Sequence, residues 1–141
     1  MFSILIPVDG SECSMRAVKH AIALAKERES TEIHLLNVQP EIMSGEISLY
    51  VSIDMINEYR EEQGRLALEP GKKLFDNARV AYIPHIGIGH AAEIIAQYAK
   101  EKKCDAVVMG TRGMGSVSSL ILGSVSVKVI HLVDVPVTLV K

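Results

Sequence analysis

The amino-acid sequence predicts an α/β fold of Rossmann-like type, built on a parallel sheet with helices on both faces. Three features carry that expectation. Short apolar runs alternate with longer segments whose apolar residues recur at helical spacing. The short runs are nearly continuous in Val, Ile and Leu, as suits strands covered on both faces. Strands that alternate with helices imply right-handed βαβ units. At 141 residues the chain has the length of one domain, 1–141. That size buries roughly two-thirds of the unfolded surface, so a core forms without disulfides or structural metal.

The elements follow in order. Ile4–Val8 reads as a buried strand. Residues 12–29 read as a helix, with Ala17, Ala21, Leu24 and Ala25 in register and Val18 and Ile22 beside them. Ile33–Val38 is the second strand, and residues 40–53 fit no element and read as a variable loop. Residues 54–78 are helix-like, with Gly64 and Pro70-Gly71 expected to interrupt or kink them. Val80–Ile86 is the third strand. Residues 90–103 form a helix with Ile94, Ile95, Tyr98 and Ala99 inward, and lysines at its C-terminal end that suit the helix dipole. Ala106–Met109 is the fourth strand, 124–132 a helix and Val135–Val140 the fifth strand.

The formal net charge of -2 gives no sign of a nucleic-acid binder. The two cysteines, Cys13 and Cys104, have no ligand-like spacing and suit a reducing compartment. The apolar run at the start lacks a basic region and is too short for a signal peptide. No apolar stretch approaches the ~18 residues of a membrane span. The expectation is a soluble cytoplasmic protein with no membrane partner.

Open parallel sheets bind ligands beyond the carboxyl ends of their strands, at a switch point. The first strand ends in Pro7-Val8-Asp9-Gly10-Ser11 and the fourth in Met109-Gly110. If the two are neighbours, they flank one crevice. An aspartate at a strand end can accept both hydroxyls of a ribose, or it can help cap the next helix. Beyond the fourth strand, Gly110-Thr111-Arg112-Gly113-Met114-Gly115-Ser116-Val117 nearly spells a Walker A loop, but Ser116 stands where the lysine belongs. A different spacing fits better: Gly110-x2-Gly113-x9-Gly123-Ser124 sets two glycines in the loop and a Gly-Ser pair at a helix start. Glycines let backbone N–H groups approach a phosphate, and the helix start presents free donors and a positive dipole end. The hydroxyls of Ser124 and Ser126 can donate as well, and Arg112 can add charge. A mobile loop without a ligand is the alternative.

On Ile4-Leu5-Ile6-Pro7-Val8-Asp9-Gly10-Ser11, on the glycine pattern and on the closing Pro136-Val137-Thr138-Leu139-Val140, the chain resembles the universal stress protein family, specifically its ATP-binding branch. The resemblance spans almost the full length. It implies a single five-stranded sheet in the order 3-2-1-4-5. It implies that Asp9 contacts the ribose, that Val8 and Val38 pack near adenine, and that Gly110, Arg112, Gly113, Gly123, Ser124, Val125 and Ser126 surround the ribose and phosphates. Pro7 and Met109 border the same crevice. The ligand would be ATP, or AMP or ADP, with Mg²⁺ accompanying the nucleotide. The serine-rich segment 114–122 departs from the family pattern and can alter the phosphate contacts.

In the order 3-2-1-4-5 the last strand lies at a sheet edge. Its valines, with only Pro136 and Lys141 to blunt it, invite an antiparallel homodimer. Gly87-Ile88-Gly89-His90-Ala91-Ala92 matches a dinucleotide fingerprint, but it follows the third strand and reads as a tight turn. His20, His34, His85, His90 and His131 share no metal-binding spacing and read as surface or satisfied core residues. Cys13 reads as a small buried apolar residue. Two functions remain: a nucleotide-binding regulatory module, or an enzyme that hydrolyses or transfers from ATP. The loop offers no base aimed at a γ-phosphate, so binding is favoured, with at most slow Mg²⁺-assisted hydrolysis.

Overall fold

The computed structural model describes residues 1–41, 52–112 and 123–141; Gly113, the serine-rich 114–122 and most of the 40–53 stretch lie outside the described residues. Five strands are present: β1 (Phe2–Pro7), β2 (Thr31–Gln39), β3 (Ile83–Ile88), β4 (Ala106–Gly110) and β5 (Val137–Val140). All pair in parallel, in the order β3-β2-β1-β4-β5. The chain winds outward from β1 to one edge, then returns to place β4 on the other side of β1. The switch point lies between β1 and β4.

Helices α1 (Glu12–Lys26) and α2 (Ile53–Ala78) cover one face; α3 (Ala91–Glu101) and α4 (Ser124–Leu132) cover the other. The strand period of two divides the apolar residues between the faces. Ile4, Ile6, Ile33 and Leu35 pack against Ala17, Val18, Leu68 and Phe75. Leu5, Leu36, Val107 and Met109 pack against Ala92, Ile95, Ala99 and Val129. The starts of α1 and α2 are capped by hydroxyls: Ser11 Oγ accepts from the Ser14 N–H at 3.2 Å, and Ser52 Oγ from the Met55 N–H at 3.1 Å.

Several boundaries differ from the sequence reading. α2 runs unbroken through Gly64 and Pro70-Gly71. A Cβ on Gly64 would lie 2.8 Å from Ile86 Cδ1, and one on Gly71 3.4 Å from Leu35 Cδ2. These glycines bring the helix close to the sheet, and that packing outweighs their low propensity. Pro70 lacks the N–H for its own helical hydrogen bond and crowds the carbonyl four residues back, yet the helix continues past it. The third strand begins at Ile83, not Val80, and extends to Ile88. Arg79 closes α2 in the left-handed conformation, φ 58°, and the Val80 N–H returns to the Phe75 carbonyl at 3.0 Å. Val80 and Tyr82 are apolar because they pack on the core as connectors, outside the ladder. Gly87 is therefore a strand residue, where a Cβ would meet Ile94 Cγ2 at 2.6 Å. Gly89 alone makes the turn, at φ 141°.

The first helix ends at Lys26 rather than at residue 29, and the last ladder starts at Val137 rather than Val135. The N–H groups of Val107 and Thr111 bond to the carbonyls of Pro136 and Val140 at 2.9 Å each. By the alternation of a strand, Thr138 also faces β4, and Val137 and Leu139 turn their N–H groups to the open edge.

Candidate functional site

A crevice of about 340 Å³ opens at the carboxyl ends of the strands, between β1 and β4. Four elements bring the residues expected from the sequence there. From β1 and the turn after it come Pro7, Val8 and Asp9; from β2, Val38; from β4 and its loop, Met109, Gly110 and Arg112; from the start of α4, Gly123, Ser124, Val125 and Ser126. Every candidate residue read from the sequence lines this crevice except Gly113, which lies outside the described residues.

Asp9 is fixed by its own turn. Its Oδ1 accepts from the Ser11 N–H at 2.9 Å, across Gly10 at φ 85°, and Ser11 in turn caps α1. The capping alternative thus describes one carboxylate oxygen. The other, Oδ2, makes no hydrogen bond among the described residues, and Asp9 lines the crevice.

The glycines at β4 and α4 serve packing first. A Cβ on Gly110 would lie 2.9 Å from Cys13 Sγ and 3.1 Å from the Cys13 carbonyl carbon, so a side chain there would push α1 away. Gly123 donates to the Thr111 carbonyl at 2.7 Å, and a Cβ on it would sit 3.2 Å from Arg112 Cα. Gly123 is also the N-cap of α4 and supplies no capping side chain. The first helical bond is Val127 N–H to Gly123 C=O, so the N–H groups of Ser124, Val125 and Ser126 have no partner within the helix. Three donors and the positive end of the helix dipole stand at the crevice, an arrangement that receives anions.

Ser126 has a different part from the one its hydroxyl suggests in the sequence. It is 2% exposed, and its Oγ donates to the carbonyls of Gly110 and Thr111 at 3.0 and 3.2 Å. The hydroxyl ties α4 to the end of β4 and is not available to a phosphate. Ser124 is exposed, and its hydroxyl makes no hydrogen bond among the described residues.

Cys13 lies against the end of β4 and β5, its Sγ 3.8 Å from Thr111 Oγ1 and 3.2 Å from the Val140 carbonyl oxygen. Burial raises the thiol pKa, but the backbone N–H groups of Arg112 and Thr111, the Thr111 hydroxyl and the charge of Arg16 more than offset it, and the net shift is downward.

The sequence reading missed Ser14, Leu36, Asn37, Ala91 and Ile95, which also line the crevice. Asn37 joins the tips of β1 and β2: its Nδ2 donates to the Val8 carbonyl at 2.8 Å, and its Oδ1 accepts from Gln39 at 2.7 Å. A polar residue inside the apolar run Ile33–Val38 was the available signal. Ala91 and Ile95 come from α3, which only the three-dimensional packing brings to the crevice.

The family model for the universal stress protein family matches residues 1–141. Universal stress protein MJ0531 of Methanocaldococcus jannaschii is 36% identical over 140 residues, covering 98% of this chain and 81% of that one. The solved structure of MJ0577, described as a structure-based assignment of biochemical function, superposes with a TM-score of 0.84 at 29% identity, over 99% of this chain and 95% of that one. An Arabidopsis thaliana universal stress family protein, solved with AMP bound, shares the fold with a TM-score of 0.71 at 21% identity, over 100% and 92% of the two chains. Parallel sheet, crevice and full-length match agree: the chain belongs to the universal stress protein family.

Proposed function

We propose that the crevice binds an adenine nucleotide, ATP or AMP, and that the chain is a nucleotide-binding regulatory module of the ATP-binding branch of its family. The observation that carries this reading is the convergence of Asp9 with the N–H groups of Ser124, Val125 and Ser126, which have no partner within the helix, on one apolar-walled crevice. Val8, Leu36 and Val38 offer apolar lining to an adenine ring. Asp9 offers acceptors to a ribose, and the start of α4 offers donors to the phosphates. The glycine spacing Gly110-x2-Gly113-x9-Gly123-Ser124 and the AMP bound to a protein of the same fold support it. Mg²⁺ would enter with the phosphates.

The enzyme reading has less support. Asp9 is the one carboxylate and Arg112 the one cation among the described lining residues, and a carboxylate engaged with the ribose cannot also serve a γ-phosphate. Turnover is at most slow. In a reducing cytoplasm both cysteines, buried and unpaired, stay thiols. The same reading joins two copies through the open edge of β5.

Isothermal titration of ATP, AMP and 2′-deoxy-ATP tests the site. Asp9→Ala should weaken ATP about tenfold or more, as loss of a charged hydrogen bond of roughly 1.5–3 kcal/mol requires. The loss for 2′-deoxy-ATP should be smaller. Equal losses remove the ribose role, and no binding by the wild type removes the nucleotide reading. Turnover faster than about one per second would favour the enzyme.

A further inference from the structure

Away from the crevice, beside Tyr98 of α3, three ionisable side chains form a chain of contacts across β2 and β3. Glu32 and His34 stand two apart on β2 and share a face. The Cα partner of His85 is Leu36, so His85 reaches His34 on the diagonal. His34 Nε2 lies 2.7 Å from Glu32 Oε1, and His34 Nδ1 lies 2.8 Å from His85 Nε2. The two rings stack with centroids 5.1 Å apart and planes 25° apart. Tyr98 meets the His85 ring edge-on at 5.4 Å. The His34 side chain is 5% exposed.

Proton counting limits the states of this chain. A carboxylate only accepts, so His34 Nε2 carries hydrogen. One hydrogen then lies between His34 Nδ1 and His85 Nε2. Either His85 donates to a neutral His34, or a charged His34 donates to a neutral His85. Both arrangements keep the contact, and the pair holds no charge or one. A second proton sets N–H against N–H at 2.8 Å between two stacked cations, and no rearrangement of hydrogens restores the bond.

We propose that Glu32, His34 and His85 form an acid-sensitive clamp that holds the edge strand β3 to the sheet while the histidine pair carries at most one positive charge, and releases it when both rings are protonated. β3 is the strand best placed to respond. It is outermost and pairs with β2 alone. The clamp is the one direct side-chain hydrogen bond joining β3 to β2 among the described residues.

The surrounding charges decide how readily the second proton arrives. From β2, Glu32 favours it; the Ser3 hydroxyl of β1, 3.4 Å away, and the charge of the N-terminal amine act on Glu32 itself. From α3, Tyr98 is a neutral wall and Lys102 opposes it. Asp105 and the Cys104 thiol stand at the foot of β4, close enough for Asp105, Glu32 and Lys102 all to act on that thiol. From α2, Arg60, Glu61, Arg65 and Lys72 line a second cavity together with His85, Arg65 being paired with Glu62. Burial, then His34, then Lys102 lower the His85 pKa below the ordinary histidine value. The release therefore falls on the acid side of about pH 6.5.

The inference does not depend on nucleotide binding, and its test uses the full chain without ligand. Imidazole ¹⁵N shifts and backbone amide exchange are followed from about pH 8 to about pH 4.5. The clamp requires two separated steps for the His34–His85 pair, because strongly interacting sites titrate as a pair. The second step should coincide with at least a tenfold fall in amide protection across residues 83–88, while 106–110 keep theirs. In His85→Gln the acid loss at 83–88 should shrink below about twofold. Independent single steps for the two rings, or unchanged protection of 83–88 through the second step, overturn the clamp. The same acid loss in His85→Gln also overturns it. If that variant does not fold, the wild-type titration decides alone, since it predicts both the split steps and the local loss.

Discussion

The Ser126 hydroxyl donates to the Gly110 carbonyl, 3.0 Å away and 16 residues back in the chain. That bond, with its branch to Thr111, fixes the start of α4 against the end of β4 and so sets the width of the crevice at its donor end. Ser126→Ala should take this donor from the buried Gly110 carbonyl, while the Thr111 carbonyl keeps the Gly123 N–H, and destabilise the fold by about 1–2 kcal/mol. Urea denaturation measures it. Ser124→Ala, two residues away and exposed, should stay within about 0.5 kcal/mol. Equal effects would show that the hydroxyl at 126 is no strut.

Gly110 touches Cys13 where any side chain would intrude. Gly110→Ala places a methyl 2.9 Å from Sγ and close to the helix backbone. The expected cost is about 1–3 kcal/mol, as for overpacked cores. Adding Cys13→Ala should recover part of it. The remainder should persist, because the Cys13 carbonyl oxygen is 3.2 Å from the same point. Full recovery would place all the strain on the thiol. No cost in Gly110→Ala would mean that the two elements part easily.

Much of this was legible in the sequence. The β1 run Ile4–Val8, Asp9 at its end and the glycine spacing through Gly123 depend on local pattern, and local pattern is what a sequence displays; Val38 entered through the family resemblance alone. What stayed hidden depended on partners distant in the chain. Val80 and Tyr82 look like strand residues because burial, not pairing, makes them apolar. Gly64 and Gly71 look like helix breakers because Ile86 and Leu35, which need the space, are not neighbours in the chain. Ser126 looks like a phosphate donor because nothing nearby in the chain reveals that its hydroxyl is spent on Gly110. His34 and His85, 51 residues apart, show no spacing at all, yet strand register brings them within 2.8 Å.

Cys104 sets an alkaline limit on stability. The thiol is 5% exposed, and burial, with Asp105 and Glu32 nearby, pushes its pKa from 9.0 up to about 11. The unfolded chain therefore loses this proton before the folded one does. Stability from this group is complete below about pH 9, falls as pH rises from there to about 11, and then levels. Two pH units correspond to about 2–3 kcal/mol at most. Chemical denaturation of the wild type and Cys104→Ala at about pH 8 and about pH 10.5 should show the gap between them narrowing. A constant gap would mean that the thiol ionises equally in both states.

The open edge of β5 tests the proposed homodimer. Pro136 and Val140 present carbonyls to β4, so Thr138 faces inward and Val137 and Leu139 present the free N–H groups. Proline is tolerated on an edge when its missing donor would face outward. Leu139→Pro should therefore leave the β4–β5 ladder in place and remove a donor from the intersubunit pairing. Thr138→Pro should instead break a ladder bond and lower the melting temperature. Sedimentation at micromolar concentration reads the outcome. The wild type should run as a dimer, and Leu139→Pro, with an unchanged far-ultraviolet spectrum, as a monomer. A monomeric wild type ends the proposal. A Leu139→Pro variant that remains dimeric moves the interface away from this edge, because an antiparallel pair across it has no other donor at that position.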